Sequence, residues 1–373
     1  MRLFREFCLT VIDSGWIIIG MRALVLCGGR GTRLRPLTWT IPKQLVPVAN
    51  RPILSYVLEH LMVAGLEEVG IVVSPETGAQ IQEFVGDGRR WNFQVTYIRQ
   101  EEPLGLAHAV KVSRDFLGTE PFVMYLGDNL LQDGLEPGLT LFSSGGADAV
   151  IMLKEVSDPR RFGVAELKNG AVVRLVEKPA EPPSSLALVG VYIFSPVIHQ
   201  VIEQLKFSAR GELEITEAIQ GLIEQGRRVL PIVLPGWWLD TGKKDDLLAA
   251  NRQVLASFKQ QVVAGTVDNC RITGPVRIEA GARLSNCELS GPVVIGAGCR
   301  IDNSRIGPFV SVSAGCEISG SEIEHSVILE RCVISGVRRM SESLLGREVR
   351  VRAGGQSGGS LKLLLSDASE VEL

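Results

Sequence analysis

From residue 278 to residue 328 the chain repeats every 17 residues, and no other feature narrows its fold as far. Three lines stack: IEAGARLSNCELSGPVV (278–294), IGAGCRIDNSRIGPFVS (295–311) and VSAGCEISGSEIEHSVI (312–328). Ile278, Ile295 and Val312 form one apolar column. Leu284, Ile301 and Ile318 form a second, and Leu289, Ile306 and Ile323 a third. Val267 and Ile272 extend two columns one coil earlier. Three columns spaced five or six residues apart describe a triangular prism, with one short strand per side and small residues at the corners. Such a parallel β-helix of hexapeptide-type repeats buries a continuous core only when several coils stack. Cys270/Cys287 and Cys299/Cys316 also stack 17 apart and read as small packing residues rather than metal ligands. The prism is expected over 262–351. From Gly354 (GGQSGGS) the pattern is lost, so 354–373 is expected to be a flexible tail in which Leu361–Leu365 alone could dock.

Residues 21–258 have a different texture. Ala23–Cys27, Val69–Val73, Val95–Ile98 and Phe122–Leu126 are short apolar runs that read as buried strands. Helical patterns separate them: one opened by Pro52, one over Pro75–Val85 and one over Leu106–Phe116. This βα alternation predicts a mainly parallel sheet covered on both faces. Four further strands lie over Ala149–Val156, Gly163–Leu167, Val172–Val176 and Leu188–Phe194 without long helices between them, so the sheet becomes mixed. Helices follow over Glu214–Glu224 and Lys244–Ala256. The fold class is therefore α/β, a Rossmann-like sheet sandwiched by helices, followed by the β-helix.

Composition excludes some functions. A net charge of −3 argues against nucleic acid as a partner. Seven cysteines with no C-x-x-C and no Cys/His set fit a reducing cytoplasm and no zinc site. Residues 1–20 break their apolar run at Asp13, and the longest clean stretch, Ser14 to Met21, is too short to span a membrane. They are expected to be a dispensable extension before Met21; the competing reading is an element that packs on the body.

The loop after the first strand reads Gly28-Gly29-Arg30-Gly31-Thr32-Arg33. It lacks the Gly-Lys-Ser/Thr end of a Walker loop and departs from G-x-G-x-x-G. Its glycines allow close backbone approach and offer amide N–H groups to phosphate oxygens, with Arg33 and Lys43 as nearby charge. Asp128 follows a buried strand, where parallel sheets bind ligands. Asp240 lies in Trp-Trp-Leu-Asp-Thr-Gly, and two such carboxylates can share a Mg²⁺ ion with substrate phosphates.

Nine motifs in order, among them GGRGTRLRPLT, PKQLVPVANRPI, QEEPLGLAHAV, LGDNLLQDG, VEKP and GWWLDTGKKDDLLAANR, resemble the sugar-1-phosphate nucleotidyltransferases. The likeness is greatest to the long-form thymidylyltransferases acting on glucose 1-phosphate, and it covers nearly all of 21–350. One departure is Cys27, where the family usually has alanine. The resemblance implies a left-handed β-helix, Mg²⁺, dTTP and glucose 1-phosphate as substrates, and dTDP-glucose and pyrophosphate as products. It implies Arg33, Lys43, Asp128 and Lys178 as catalytic groups and Asp128 with Asp240 as metal ligands. Gly28, Gly29, Gly31, Thr32, Arg33, Lys43, Gln44, Gln100, Pro103 and Gly105 are implied for the nucleotide. Asn129, Gly163, Glu177, Lys178, Gly190, Tyr192 and Arg210 are implied for the sugar phosphate. The expected assembly is a cytoplasmic homo-oligomer, a trimer through the β-helix, with no membrane. Uridylyl or other nucleotidylyl transfer, acyl transfer by the β-helix at His325, and an inactive regulatory relative are the alternatives.

Overall fold

The computed structural model describes residues 20–353 and 359–373. The expectation for 1–20 lies outside the described residues except at Gly20.

The elements of the first part are β1 (Arg22–Leu26), α1 (Ile53–Val63), β2 (Glu68–Val73), α2 (Gly78–Val85), β3 (Gln94–Arg99), α3 (Leu106–Val112), β4 (Phe122–Leu126), β5 (Asn129–Leu131), α4 (Glu136–Ser143), β6 (Ala149–Glu155), β7 (Gly163–Lys168), β8 (Ala171–Glu177), β9 (Leu186–Phe194), α5 (Ile198–Gln204), α6 (Ile215–Glu224), β10 (Val229–Val233), β11 (Trp238–Asp240) and α7 (Lys244–Ala256). Nine strands form one sheet, ordered β8-β7-β9-β4-β1-β2-β3, with β6 joined to β9 and β10 joined to β6. β1 pairs in parallel with β2 and β4, while β9 runs antiparallel to β4. The sheet is thus mixed, as the loss of crossover helices after β6 predicts. Because side chains alternate across a strand, β1 feeds two cores. Ala23 and Val25 pack with Leu54, Leu58 and Leu61 of α1 on one face. Leu24 and Leu26 pack with Val110, Ile219 and Leu222 on the other.

Three expected helices begin or end elsewhere. Pro52 caps α1 rather than opening it. α2 starts at Gly78 because the Ser74 and Thr77 hydroxyls bond one another at 2.9 Å in a turn. The helix expected over Leu106–Phe116 is broken at Ser113, whose hydroxyl donates to Ala109 O at 2.7 Å and competes with the helical ladder, and it resumes as a single turn over Arg114–Leu117.

The repeat region forms three parallel sheets of seven, seven and five strands. Its columns match the sequence: Ile278 pairs Ile295 and Ile295 pairs Val312. Leu284, Ile301 and Ile318 align, as do Leu289, Ile306 and Ile323. The sheets wrap into the left-handed β-helix that the resemblance implies. At one corner Asn269, Asn286 and Asn303 adopt φ of 47°, 52° and 46°, the left-handed conformation that asparagine tolerates well.

The expectation of a loose tail is corrected over its described part. Leu364–Leu365 pairs with Leu344–Leu345, and Glu370–Glu372 with Arg350–Arg352, so the tail adds a coil to the prism. Its aliphatic residues Leu361, Leu363, Leu365 and Val371 pack on the prism core, which an uncovered last coil would otherwise expose.

The first sheet of the prism turns outward residues toward the α/β part. Val294, Val327 and Leu344 pack with Leu247, Leu248 and Val254 of α7. Polar bonds fix the register: Asn50 Nδ2 donates to Val312 O at 2.6 Å, and Asn251 Oδ1 accepts from Ala49 N at 2.9 Å and Ser311 Oγ at 2.6 Å.

Candidate active site

The glycine loop leaves β1 at Cys27, whose amide donates to Val72 O at 2.8 Å. A Cβ on Gly28 would lie 3.0 Å from Gln100 Oε1, and one on Gly29 would lie 3.0 Å from Lys43 Cε. The loop therefore passes close beneath both side chains, and a side chain of its own would displace them. Gly31 has φ of 63°, and its carbonyl accepts from Thr38 Oγ1 at 2.7 Å. Thr32 and Arg33 follow, exposed, in a single 3₁₀ turn. Arg33 reaches across to Gly242, where a Cβ would sit 2.7 Å from its Nη2.

Asp128 and Asp240 meet through a two-stranded ribbon, β5 against β11, in which Asn129 pairs with Asp240. The Thr241 hydroxyl donates to Asp128 O at 2.7 Å and locks the crossing. Asp128 is buried and forms an ion pair with Lys43, and Asn129 Nδ2 donates to Asp128 Oδ1 at 3.3 Å. Burial, and then the Asp128 charge, push the Asp240 carboxyl up to about 6. Burial alone would lower the Lys43 ammonium, but Asp128 outweighs it and holds Lys43 above its usual range. Two carboxylates crowded in this way call for a cation. Among the described residues no third His, Cys, Asp or Glu joins them to complete a metal cluster. The pair suits a hard divalent ion that takes its remaining oxygens from phosphate and water.

Gln44 is fully buried beside Gly127, and neither atom of its amide has a protein partner. Such an amide is costly unless a ligand or an ordered water satisfies it. Gln100 is also buried; its Nε2 lies 3.3 Å from Gly105 O and 3.0 Å from His108 Nδ1. Gly105, with φ of 106°, is pressed against the backbone of Leu213, 2.4 Å from where a Cβ would be. Pro103 is exposed on the same loop.

At the other end, Glu177 Oε1 lies 3.1 Å from Lys178 Nζ and 3.1 Å from Arg210 Nη1, and Thr216 Oγ1 donates to Glu177 Oε2 at 3.2 Å. A Cβ on Gly163 would meet Thr216 Cγ2 at 2.6 Å. Gly190 has φ of 79°, and a Cβ there would meet Leu126 Cδ1 at 2.7 Å and Asn129 Oδ1 at 3.2 Å. Tyr192 stands apart. It is buried in the core with its ring stacked on Phe194, and its phenol is pushed up by burial and by Glu177.

Several supporting residues escaped the sequence reading. Trp238 Nε1 donates to Asn129 Oδ1 at 2.6 Å, Thr241 holds Asp128, Gly242 clears Arg33, and His108 contacts Gln100. Three of them flank Asp240 in the WWLDTG motif, which was the available signal.

The family model described as "Nucleotidyl transferase" matches residues 22–257. A Streptomyces griseus protein named glucose-1-phosphate thymidylyltransferase is 48% identical over 354 residues, 95% of this chain and 99% of that one. Low-salt glycan biosynthesis nucleotidyltransferase Agl11 of Haloferax volcanii is 48% identical over 264 residues, 70% of this chain and 74% of that one. A Bacillus anthracis structure assigned as a glucose-1-phosphate thymidylyltransferase, in complex with sucrose, superposes with a TM-score of 0.60 at 34% identity, covering 62% of this chain and 94% of that one. UDP-glucose pyrophosphorylase complexed with UDP-glucose gives a TM-score of 0.58 at 26% identity, covering 63% and 98%. With a matching family model over most of its length and near-full-length relatives at 48% identity, the chain belongs to the nucleotidyl transferase family and is an enzyme of that class.

Proposed function

We propose that the enzyme joins dTTP and glucose 1-phosphate to give dTDP-glucose and pyrophosphate. A phosphate oxygen of the sugar phosphate attacks the α-phosphorus in line, and pyrophosphate leaves from the opposite side. The nucleophile is already an anion near neutral pH, so the reaction needs no general base. Its difficulty is to bring two polyanions together, which positioned positive charge and amide donors overcome. Arg33, Lys43 and the amides of Gly28, Gly29 and Gly31 hold the triphosphate, and Thr32 lies in the same turn. Gln44 and Gln100 bind the nucleoside, with Pro103 and Gly105 shaping the loop against the base. Lys178 and Arg210 take the sugar phosphate, and Glu177 takes sugar hydroxyls, with Gly163 and Gly190 clearing space. Tyr192 backs this end from within the core. Asp128 and Asp240 would hold Mg²⁺, which supplies neutralisation of phosphate charge when bound. Lys43 forms an ion pair with Asp128.

The observation that carries this reading is the meeting of Asp128, Asp240, Lys43 and Arg33 beside a glycine loop whose side-chain space is already filled. The 48% identity to named thymidylyltransferases over 95% of the chain supports the choice of dTTP and glucose 1-phosphate. The six described cysteines are free thiols, and among the described residues no helix is long and apolar enough to cross a membrane. Both support a cytoplasmic reaction. Self-association through the prism, as a trimer, rests on outward ladders such as Arg271, Glu288, Arg305 and Glu322, which lie on a sheet separate from the one packed on α7. Light scattering of the purified protein reads the stoichiometry directly.

The test is a panel of dTTP and the four ribonucleoside triphosphates against glucose, galactose and N-acetylglucosamine 1-phosphates, with pyrophosphate release as readout. The greatest kcat/KM is expected for dTTP with glucose 1-phosphate. Preference for UTP, or for another sugar, would replace the substrates named here, and no release from any pair would sink the reading.

A further inference from the structure

We propose that His108 is a positioning residue: it locks the Gln100 amide so that the carbonyl oxygen, not the nitrogen, faces the base, which selects pyrimidines bearing N3–H over cytosine. The inference rests on the reading of Gln100 as the residue that contacts the base.

A glutamine amide has two orientations that differ by exchange of oxygen and nitrogen, and its neighbours decide between them. One neighbour here is a main-chain carbonyl, Gly105 O, at 3.3 Å. A carbonyl can only accept, so the amide atom facing it must be Nε2. The Gly105 carbonyl is held in this direction because it also accepts from Ala109 N at 3.2 Å, at the start of α3. The second N–H of Nε2 reaches His108 Nδ1 at 3.0 Å. This bond requires an unprotonated Nδ1, with the imidazole proton on Nε2. Burial and Lys111, on the same helix, favour the neutral ring; Glu102, on the preceding loop, opposes them.

Both amide hydrogens are then used within the protein. What remains is Oε1, which lies 3.0 Å from the position a Gly28 Cβ would occupy, directly over the glycine loop. The backbone of Gln100 is anchored to β2 through its N–H to Val73 O at 2.9 Å. A buried oxygen acceptor on a fixed stem matches the N3–H of thymine or uracil. Cytosine presents a bare N3 lone pair there and would meet Oε1 acceptor to acceptor, leaving both unsatisfied. Discrimination of this kind comes from an unpaired buried polar group and is large for its size. Without His108 the second amide hydrogen has no protein acceptor, and the side chain is free to rotate away from Gly105.

The test compares His108→Phe, which fills the space without an acceptor, His108→Gln, which restores one, and Gln100→Leu. The readouts are kcat and KM for dTTP with glucose 1-phosphate, and the inhibition constant of dCTP as competitor. His108→Phe is expected to raise KM for dTTP about tenfold with kcat within about twofold, and to narrow the dTTP-over-dCTP preference about tenfold. His108→Gln is expected to recover most of both. If His108→Phe changes neither while Gln100→Leu changes both, the positioning role is wrong and the base contact stands. If Gln100→Leu also changes neither, the base contact itself fails and the proposal with it. Loss of kcat in both His108 variants without any change in base preference would mark a merely structural role and overturn the inference.

Discussion

Lys43 sits where burial works against its charge and Asp128 restores it. Its removal leaves Asp128 and Asp240 facing each other without their buried counter-charge. Lys43→Ala is expected to lower turnover by about 100- to 1000-fold, as loss of one transition-state donor does, and Arg33→Ala similarly. Steady-state kinetics with saturating substrates check both. Asp240 predicts the opposite sign for stability. Its folded carboxyl is raised from 3.8 to about 6, so at pH 7 the metal-free fold bears the cost of an ionised group it disfavours. Asp240→Asn should therefore melt higher than the parent without divalent metal, while losing activity; scanning calorimetry in chelator reads the first effect. Acid acts through two histidines. His60 packs on Tyr125 and His199 on Phe122, and burial lowers each to about 4. A folded value below the unfolded one means that the unfolded chain binds the proton more tightly. Stability is therefore whole above about pH 6.5 and lost as pH falls toward 4, by up to about 3 kcal/mol for each ring. Melting temperatures at pH 7 and pH 4.5 should differ less in His199→Phe than in the parent.

The elements of the prism divide their work by column. Cys270 Sγ donates to Asp268 O at 3.1 Å and accepts from Cys287 N at 3.3 Å. Ser304 and Ser321, further along the same column, make the same pair of bonds. A thiol and a hydroxyl are thus interchangeable at this corner, and Cys270→Ser or Cys287→Ser should shift the melting temperature by less than about 2 °C. Ile301, by contrast, is buried between Leu284 and Ile318, and Ile301→Ala should cost about 2–5 kcal/mol. Denaturant titrations followed by circular dichroism separate the two classes. These columns were legible in the sequence because each coil meets the next in register, and a fixed period shows that directly. Strands β1 to β4 were legible for a similar reason, since buried parallel strands are uninterrupted apolar runs. The ribbon of β5 and β11 was not. Its three-residue strands are too short to carry a period, and their pairing is purely tertiary.

At the scale of the whole molecule, the α/β part and the prism share an interface that neither could leave bare. Asn251 is buried at its centre, where one carboxamide oxygen serves both Ala49 N and Ser311 Oγ. Asn251→Ala leaves two buried donors unsatisfied, at about 1–3 kcal/mol each. The expected outcome is unfolding in two calorimetric steps where the parent shows closer coupling. The chain itself determined the prism, the buried strands of the mainly parallel half, and the residues able to meet phosphate, because periodicity and glycine chemistry are local and survive in a linear text. Only the tertiary structure decided that Asp240 comes to Asp128 across more than a hundred residues, that the tail closes the last coil, and that His108 turns the Gln100 amide. Those outcomes depend on which surfaces meet in space, and the order of residues along a chain does not carry that information.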